Sequence, residues 1–437
     1  MPGSRLLTAP PSCASFGRSS GGASADAVTL NRETIALRVL FIGQDLPGRR
    51  RTGGQIATFY QISQLARAGH GVTFLTIVPD GTVSQDAELG GLADVIAVPE
   101  LPKVSTAGYL RGLTDPLPVP IRRYTSRRFL ARVAEAAAER YDLIFFNSLH
   151  SAPALPAAGA ASDAPAVLFE HNVQSTVMRL FADFQASSAA RLYATLQWRR
   201  MERYEASVLP LFDLTLTFSD VDRRALEEMS EEARVEAVPL AIDVGALPEP
   251  PHAEENDVLF VGSFGWRPNQ DSLRWFLEEI LPAIRATRPG TTVTVVGSPV
   301  PQWASLLAGG DGRVSFVGDV DDVFEHFARS RVLVVPLRIG SGVRVKIIQA
   351  MAMGKAVVTT TKGCEGLHVE HDREVRMADD PRSFAREVTS VLDDDGLRER
   401  LGAAARKLAF AEHDATSDDS PLVKACERLA RGRGRSS

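Results

Sequence analysis

The sequence predicts an α/β protein built from two doubly wound parallel sheets, and three observations carry this prediction. Short apolar runs alternate with amphipathic helical patterns along two consecutive stretches of the chain. A proline-containing segment at 239–252 separates the two stretches, as an interdomain linker does. The 437 residues, of which 44% are hydrophobic and 24% are charged, supply enough apolar side chains for two cores.

The composition excludes several classes of protein. The formal net charge of −5 argues against a nucleic-acid binder that relies on overall positive charge. Cys13, Cys364 and Cys426 are spaced for neither a disulfide framework nor a zinc site, and they fit a reducing cytoplasm. No run of about 18 uncharged apolar residues predicts a membrane span. Residues 1–36, rich in small residues and proline, are expected to be a disordered leader outside the fold.

The first domain is predicted at 37–245. Its opening run at 37–43 is apolar, β-branched and aromatic, and predicts a buried strand. A helical pattern follows and ends at Gly69, a residue type that favours helix ends. The next run, 72–78, completes a βαβ unit, which builds a parallel sheet. Further strands are predicted at 94–98, 143–146, 166–169 and 214–218, and further helices at 121–140, 189–208 and 221–229.

The second domain is predicted at 246–411, followed by a tail or helix at 412–437. Two such domains place the carboxyl ends of both sheets around one cleft, where open α/β sheets bind ligands. The pattern does not name the ligand. Strands are predicted at 258–261, 293–296, 314–317, 332–335 and 356–359, and helices at 270–286, 303–307, 323–328, 343–353, 384–392, 396–411 and 422–430.

A glycine-rich turn between a buried strand and the helix at 343–353 indicates an anion site. The turn contains Gly340, Ser341 and Gly342. Such a turn exposes backbone N–H groups at the positive end of a helix dipole, and Arg344 and Lys346 add charge in the predicted first helical turn. Lys346 and Gln349 share a stripe on an otherwise apolar helix, so they are expected to face something polar. The alternatives are a plain tight turn and a stripe that faces water.

Two features of the first domain are weaker candidates. His171 ends a buried strand, where an α/β cleft places its chemistry, although a lone histidine is often structural. Gly53 and Gly54 begin the first helix and allow a ligand to approach the backbone closely. The same two glycines also fit a flexible surface loop. The spacing of His368 and His371 predicts no metal site, because no further ligand accompanies them.

The segment 103–140 is locally basic, with eight lysines or arginines against three acidic residues. A basic helix docks on anionic lipid, so peripheral membrane contact is one interpretation. A solvated helix face is the other.

These residues together resemble family 4 glycosyltransferases over about 37–411. The run from Phe260 to Gln270, together with the turn and helix from Val335 to Gly354, resembles the donor domain of that family. The run from Glu170 to Ser175 is similar to its acceptor-side domain, as is the run from Arg200 to Glu205.

The resemblance implies a GT-B fold, in which two Rossmann-like domains face each other across a cleft, with a C-terminal helix that often crosses back to the first domain. It implies retaining transfer of a sugar from a nucleotide diphosphate sugar to a glycan or lipid-linked acceptor. No cofactor, metal or nucleic acid is expected. The enzyme would be cytoplasmic, with a role in envelope polysaccharide or glycoconjugate synthesis, free or peripheral at the inner face of the membrane.

The resemblance also assigns site residues. His171 would lie near the transferred sugar, and Arg344 and Lys346 would stabilise the departing diphosphate. Gln349 and Ser341 stand where much of the family has glutamates, and an amide at position 349 can still accept a ribose hydrogen bond. The remaining donor-binding residues would be Gly53, Gly54, Gly262, Gly318, Asp319, Val320, Gly340, Gly342 and Val343. Two alternatives remain open: a nucleotide-sugar epimerase with the same fold, and a degenerate homologue that binds without turnover.

Overall fold

The computed structural model describes residues 36–47, 52–79, 89–100, 112, 114–185, 187–248, 255–308, 310, 312–320 and 322–433. The leader predicted at 1–36 lies outside the described residues except for Ala36. So do Cys13, Lys103, Arg111 and the linker residues 249–252. From Ala36 onward the chain forms one compact unit.

Within the described residues, the first sheet has seven parallel strands in the order β3-β2-β1-β4-β5-β6-β7. The order reverses between β1 and β4, which is the switch point of a doubly wound sheet. The six predicted strands are confirmed, and the three-residue β7 adds an edge too short to be recognised from sequence. The strands are β1 Arg38–Gly43, β2 Gly71–Val78, β3 Asp94–Pro99, β4 Leu143–Asn147, β5 Ala166–Glu170, β6 Leu214–Thr217 and β7 Val235–Ala237.

The second sheet repeats this arrangement with six parallel strands in the order β10-β9-β8-β11-β12-β13, and its switch point lies between β8 and β11. The predicted α/β fold with two doubly wound sheets is therefore confirmed. The strands are β8 Asn256–Val261, β9 Val293–Val296, β10 Val314–Gly318, β11 Ser330–Val335, β12 Ala356–Thr359 and β13 Arg376–Met377.

Helices cover both sheets. Those of the first half are α1 Gly53–Arg67, α2 Val119–Arg122, α3 Arg127–Ala137, α4 Leu155–Gly159, α5 Gln174–Asp183, α6 Ser188–Val208 and α7 Asp220–Met229. Those of the second half are α8 Arg267–Trp275, α9 Leu281–Thr287, α10 Gln302–Leu307, α11 Val323–Arg329, α12 Val345–Ala352, α13 Pro381–Asp393, α14 Asp395–Glu412 and α15 Pro421–Arg433.

Three helices differ from the prediction. The helix predicted at 121–140 is two helices, because the Ser126 side chain accepts the N–H of Phe129 and starts a new helix there. The helix predicted at 270–286 contains a π-helical turn, Phe276–Ile280, between α8 and α9. Helix α12 begins at Val345 rather than 343.

Helix α5 is absent from the prediction. Its own N-cap residue, Val173, offers no side-chain acceptor, so the usual sequence signal of a helix start is missing. The two first N–H groups of α5, on Gln174 and Ser175, instead donate to the carboxylate of Glu205 at 2.6 and 2.9 Å. Glu205 lies on α6, about 30 residues along the chain.

One continuous apolar core joins the two sheets. It includes Ile56 on α1, Leu333 on β11 and Ile347 on α12, all nearly or fully buried. The chain end adds a second connection, because the N–H of Ile242 donates to the His413 carbonyl at 2.8 Å. Helix α15 follows and lies against α1. The Ser420 hydroxyl, just before α15, donates to Oε1 of Gln64 on α1 at 2.8 Å. The second half is thus fixed to the first by packing and by main-chain hydrogen bonds.

The close approach of α14 to the end of α12 yields a stability prediction. A Cβ at Gly402 would lie 2.0 Å from the carbonyl oxygen of Gly354, whereas a Cβ at Gly396 on the same helix would meet only the Asp394 side chain at 3.4 Å. We expect Gly402→Ala to lower the free energy of unfolding by about 1–3 kcal/mol, because backbone must move. Gly396→Ala is expected to raise it by about 0.5–1 kcal/mol, through helix propensity alone. Denaturant unfolding of both variants checks this, and equal effects would contradict it.

Candidate functional site

A cavity of about 850 Å³ lies between the carboxyl ends of the two sheets. Loops that follow β1, β5, β8, β9, β10 and β11 line it, so both switch points open onto the same space. Twelve of the fourteen predicted site residues line this cavity, and Gly340 and Gly342 do not. The twelve are Gly53, Gly54, His171, Gly262, Gly318, Asp319, Val320, Ser341, Val343, Arg344, Lys346 and Gln349.

Gly340 and Gly342 determine the backbone conformation of the turn without lining the cavity. Their φ angles are +138° and +81°, in the region that favours glycine. A Cβ at Gly342 would lie 1.9 Å from Oδ1 of Asn172, which belongs to the first half of the chain. With its amide turned to donate, Asn172 lies 3.1 Å from the Ser341 carbonyl oxygen. The absence of a side chain at Gly342 therefore allows the turn to meet the opposite side of the cleft.

Arg344 was predicted to lie in the first turn of α12. In the structure it is the N-cap residue of that helix. Its side chain folds back, and Nη1 donates to the carbonyls of Ser341 and Gly342. The guanidinium also lies over the ring of Trp266, at 5.6 Å from its centroid. Helix α12 starts at Val345 rather than earlier because Arg344 stabilises the preceding turn through these contacts instead of extending the helix.

Arg344 still has hydrogen-bonding capacity. It is only 6% exposed, yet Nε and Nη2 have no hydrogen-bond partner among the described residues. Burial lowers the pKa of Arg344 to about 10, and the carboxylates of Glu365 and Asp222 oppose this shift. The group remains a cation at neutral pH, and these two nitrogens carry three N–H groups. Together with the N–H groups in the first turn of α12, they are donors that suit an anion.

Lys346 extends from the first turn of α12 to the end of β8. Its Nζ donates to the Val261 carbonyl at 2.5 Å and lies 3.5 Å from Oδ1 of Asn269. Burial lowers the pKa of Lys346 to about 7, and the charge of Arg344 adds to the shift. The ammonium has only neutral acceptors around it, so an added anion would stabilise its charged form. Gln349, one turn later and 8% exposed, lines the same cavity, as the shared stripe predicts.

His171 contributes an uncharged imidazole from the opposite side. Its ring lies between those of Phe169 and Phe218, at centroid distances of 5.4 and 5.3 Å. Its Nε2 lies 2.7 Å from Oδ1 of Asn147. Burial lowers the pKa of His171 to about 4, helped by the nearby His150. The imidazole is therefore neutral at physiological pH and can form hydrogen bonds without carrying charge.

A buried pair of carboxyl groups supports this side of the cavity. Glu170 ends β5 directly before His171 and is fully buried, which raises its pKa well above the usual range; the nearby Glu205 adds to the shift. Burial also raises the pKa of Glu205, to about 7, despite the two N–H groups that it accepts from α5. Through Glu205, helix α6 holds α5 so that Gln174 and Val177 line the cavity.

A second contact crosses the mouth of the cleft. Nη1 of Arg267, at the start of α8, donates to the Phe184 carbonyl at 2.6 Å, and the guanidinium lies 5.6 Å from the ring centroid of Phe181. Near the glycine loop, a Cβ at Gly53 would lie 3.3 Å from Cγ2 of Val345. The two sides of the cleft are therefore in contact at the start of α12 and at the end of α5.

Sequence reasoning missed several cavity residues. Trp266 and Asn269 belong to the run after β8 that carried the family resemblance, so their position was a usable signal. Gln174 lies in the run from Glu170 to Ser175, which also carried the resemblance, but helix α5, which positions it, was not predicted. The additional cavity residues with polar or aromatic side chains are Thr52, Gln55, Asn172, Gln174, Phe218, Ser263, Trp266, Asn269, Ser298 and Phe324.

The described residues contain no group of three or more His, Cys, Asp or Glu side chains arranged to hold a metal ion. His368 bonds instead to Glu412 at 2.9 Å, and Nδ1 of His371 accepts the N–H of Met377 at 3.0 Å. In the same part of the chain, no helix combines the length and the apolar character needed to cross a bilayer.

Comparison with solved structures shows similarity to GT-B enzymes over most of the chain. HepE from Anabaena, in complex with UDP and glucose, superposes with a TM-score of 0.64 at 16% identity, over 91% of this chain and 99% of HepE. Sucrose-phosphate synthase from Thermosynechococcus elongatus superposes with a TM-score of 0.68 at 18% identity, over 92% of this chain and 100% of the synthase chain. TarM superposes with a TM-score of 0.68 at 9% identity, over 91% of this chain and 99% of TarM. At these identities the likeness establishes the fold.

Sequence comparison supplies the family. An uncharacterized 44.6 kDa protein in the cps region of Klebsiella pneumoniae is 24% identical over 139 residues, which are 30% of this chain. The match spans about a third of that relative, 36% of its length. Residues 52–246 match the family model of Glycosyltransferase Family 4, and residues 255–394 match the model of Glycosyl transferases group 1. With both halves of its cleft covered by these two models, the chain belongs to the group 1 glycosyltransferases of family 4.

Proposed function

We propose that this glycosyltransferase moves a sugar from a nucleoside diphosphate sugar to a hydroxyl of a glycan or lipid-linked acceptor, with retention at the anomeric carbon and without a metal ion. The observation that carries the proposal is the anion site at the start of α12. There a helix N-terminus, Arg344 with its Nε and Nη2 unpartnered among the described residues, and Lys346 border one cavity. Its volume of about 850 Å³ suits a nucleotide sugar.

The two ends of the cavity fit the two ends of such a donor. Val320, Val323 and Phe324 give one end an apolar lining for a base, beside the backbone of Gly318. The other end holds the neutral imidazole of His171 next to Gly54, which suits sugar hydroxyls. The diphosphate would lie between them, at α12. HepE, the Anabaena relative by structure, is described in complexes with UDP and UDP-glucose, which favours a uridine donor here.

The chemical step needs no protein nucleophile in this proposal. Among the described residues that line the cavity, Asp319 is the one carboxylate, and it follows β10 rather than lying in the loop of His171. The acceptor oxygen bonds to the anomeric carbon as the bond to the diphosphate breaks. The electron pair leaves with the diphosphate, and the acceptor proton passes to a departing phosphate oxygen on the same face. Arg344, Lys346 and the N–H groups of α12 stabilise the charge that develops there.

The acceptor belongs to envelope polysaccharide or glycoconjugate synthesis in this proposal, and the Klebsiella relative from a cps region supports it. Helix α3 provides a surface for the anionic membrane that carries such acceptors. Its apolar residues are buried in the domain, whereas Arg127 and Arg128 are exposed. Contact would therefore be electrostatic and peripheral.

A donor panel tests the activity. We expect purified protein to release nucleotide from one of UDP-, GDP-, ADP- or dTDP-linked sugars when glycan acceptors are supplied. Lys346→Ala should weaken binding of that donor about 10–100-fold, because a charge-assisted hydrogen bond to phosphate contributes about 1.5–3 kcal/mol. Release of an epimer in place of free nucleotide would indicate an epimerase. Neither turnover nor a thermal shift with any nucleotide would contradict the proposal.

The affinity for UDP-glucose, whose two phosphates do not titrate between pH 6 and 9, should depend on pH through Lys346. The free ammonium has a pKa of about 7, and a bound diphosphate raises it, so binding above pH 7 takes up a proton. The dissociation constant should be flat below pH 7 and rise toward tenfold per pH unit above it. Titration calorimetry between pH 6 and 9 measures this. Lys346→Met should bind weakly with a flat profile across the same range, and a wild-type profile that is also flat would refute the assignment.

Flotation with liposomes tests the membrane contact. We expect the protein to float with vesicles of phosphatidylcholine and phosphatidylglycerol at low salt, and not with phosphatidylcholine alone. The double variant Arg127→Gln/Arg128→Gln should lose this binding. Arg382→Gln/Arg386→Gln, on the exposed face of α13, changes the net charge equally and should retain it. Equal loss in both variants would remove helix α3 from the proposal.

A further inference from the structure

A chain of hydrogen bonds connects the glycine loop to the imidazole of His171. The Thr58 hydroxyl donates to the Gly54 carbonyl at 3.0 Å. Nδ2 of Asn147 donates to Oγ1 of Thr58 at 2.7 Å, and Oδ1 of Asn147 lies 2.7 Å from Nε2 of His171. Thr58 is 4% exposed and Asn147 is 1% exposed, so water does not compete with this relay.

The carbonyl of Gly54 fixes the direction of every bond in the relay. A carbonyl oxygen can only accept, so the single hydroxyl proton of Thr58 points to it. The Thr58 oxygen must then accept from Asn147, which turns the amide NH₂ toward Thr58 and the amide oxygen toward His171. The imidazole therefore carries its proton on Nε2. Because burial lowers its pKa to about 4, it takes up no second proton at neutral pH, and Nδ1 keeps a free lone pair.

That lone pair lies at the cavity wall. Nδ1 of His171 is 3.8 Å from the position that a Cβ of Gly54 would occupy, and both residues line the cavity. The rings of Phe169 and Phe218 flank the imidazole, and His150 is the titratable neighbour that acts on its charge. A group that meets Nδ1 must therefore bring its own hydrogen-bond proton.

We propose that the relay through Asn147 and Thr58 makes the cavity select donor sugars that offer a hydroxyl to His171 and reject those that offer a carboxylate. This inference rests on the proposed function, because it concerns the sugar end of the donor. A hydroxyl donates its proton to Nδ1. A carboxylate would face the lone pair with only acceptor oxygens and would lose water without gaining a partner. A uronic acid differs from its neutral sugar at the exocyclic carbon, so the inference places that carbon at Nδ1, and the enzyme then uses neutral sugars rather than uronic acids.

The first test reads the tautomer directly in the full-length protein. With ¹⁵N-labelled histidine and His171→Asn to assign the signal, two-bond ¹H–¹⁵N correlation should show His171 protonated on Nε2 alone near pH 7. Thr58→Val removes the anchor of the relay and should give a mixture of tautomers, whereas Thr58→Ser keeps the hydroxyl and should restore the wild-type signal. A wild-type imidazole protonated on Nδ1 would overturn the proposal whether or not the enzyme is active.

The second test measures selectivity. The neutral probes are UDP-glucose, UDP-galactose and UDP-N-acetylglucosamine, and the acidic ones are UDP-glucuronate and UDP-galacturonate, all compared with UDP by competition. The dissociation constant of wild type for the best neutral probe should be at least 100-fold lower than that for the best acidic probe. Asn147→Asp places a carboxylate on Nε2, raises the pKa of His171 and turns Nδ1 into a donor, so the preference should fall at least tenfold.

Binding of UDP alone separates this inference from the proposed function. UDP lacks the sugar, so its dissociation constant should be unchanged within twofold in Asn147→Asp and in Thr58→Val. If wild type binds UDP but shows no preference for neutral sugars, or if Asn147→Asp leaves the preference intact, the inference fails and the proposed function stands. If wild type binds no nucleoside diphosphate of the donor panel, the proposed function fails, and the NMR experiment still decides the tautomer.

Discussion

The cleft is organised around two buried basic side chains that no carboxylate contacts directly within the described part of the chain. Arg344 and Lys346 bond to backbone carbonyls and to an amide, and burial lowers the pKa of both. Burying such charges costs free energy that neutral acceptors return only in part. The cost is tolerated where an anion completes the site, which is what we propose for the N-terminus of α12. The glycine turn and Trp266 around Arg344, and Asn269 beside Lys346, hold these cations in place.

The two halves of the cleft differ in their electrostatics. The second half supplies the positive charge through α12, whereas the first half supplies a neutral imidazole at His171. A charged histidine there would add a third cation, and burial together with the nearby His150 disfavours that state. Charge is thus concentrated where a diphosphate would lie, and uncharged hydrogen bonding is left for the sugar.

Contacts across the cleft make the two halves one site. Gly342 allows Asn172 to approach the turn, and Arg267 reaches the end of α5 from α8. Helix α5 itself depends on the carboxylate of Glu205 at its N-terminus. Because Glu205 is buried and its pKa is raised to about 7, part of the binding surface rests on a group near its titration point.

The sequence by itself determined the two sheets and their strand positions, because hydrophobic periodicity is a local signal. Glycine turns and the family resemblance together identified twelve of the residues that line the cavity. The stripe of Lys346 and Gln349 likewise follows from helical spacing. Only the tertiary structure decided which way the side chain of Arg344 folds, where α12 begins and that α5 exists. It also brought His171 to Asn147, the contact from which we infer the proton position on the imidazole. Each of these depends on a partner distant along the chain or on burial, such as Glu205 for α5 and Asn147 for His171, and no local pattern encodes such a pairing.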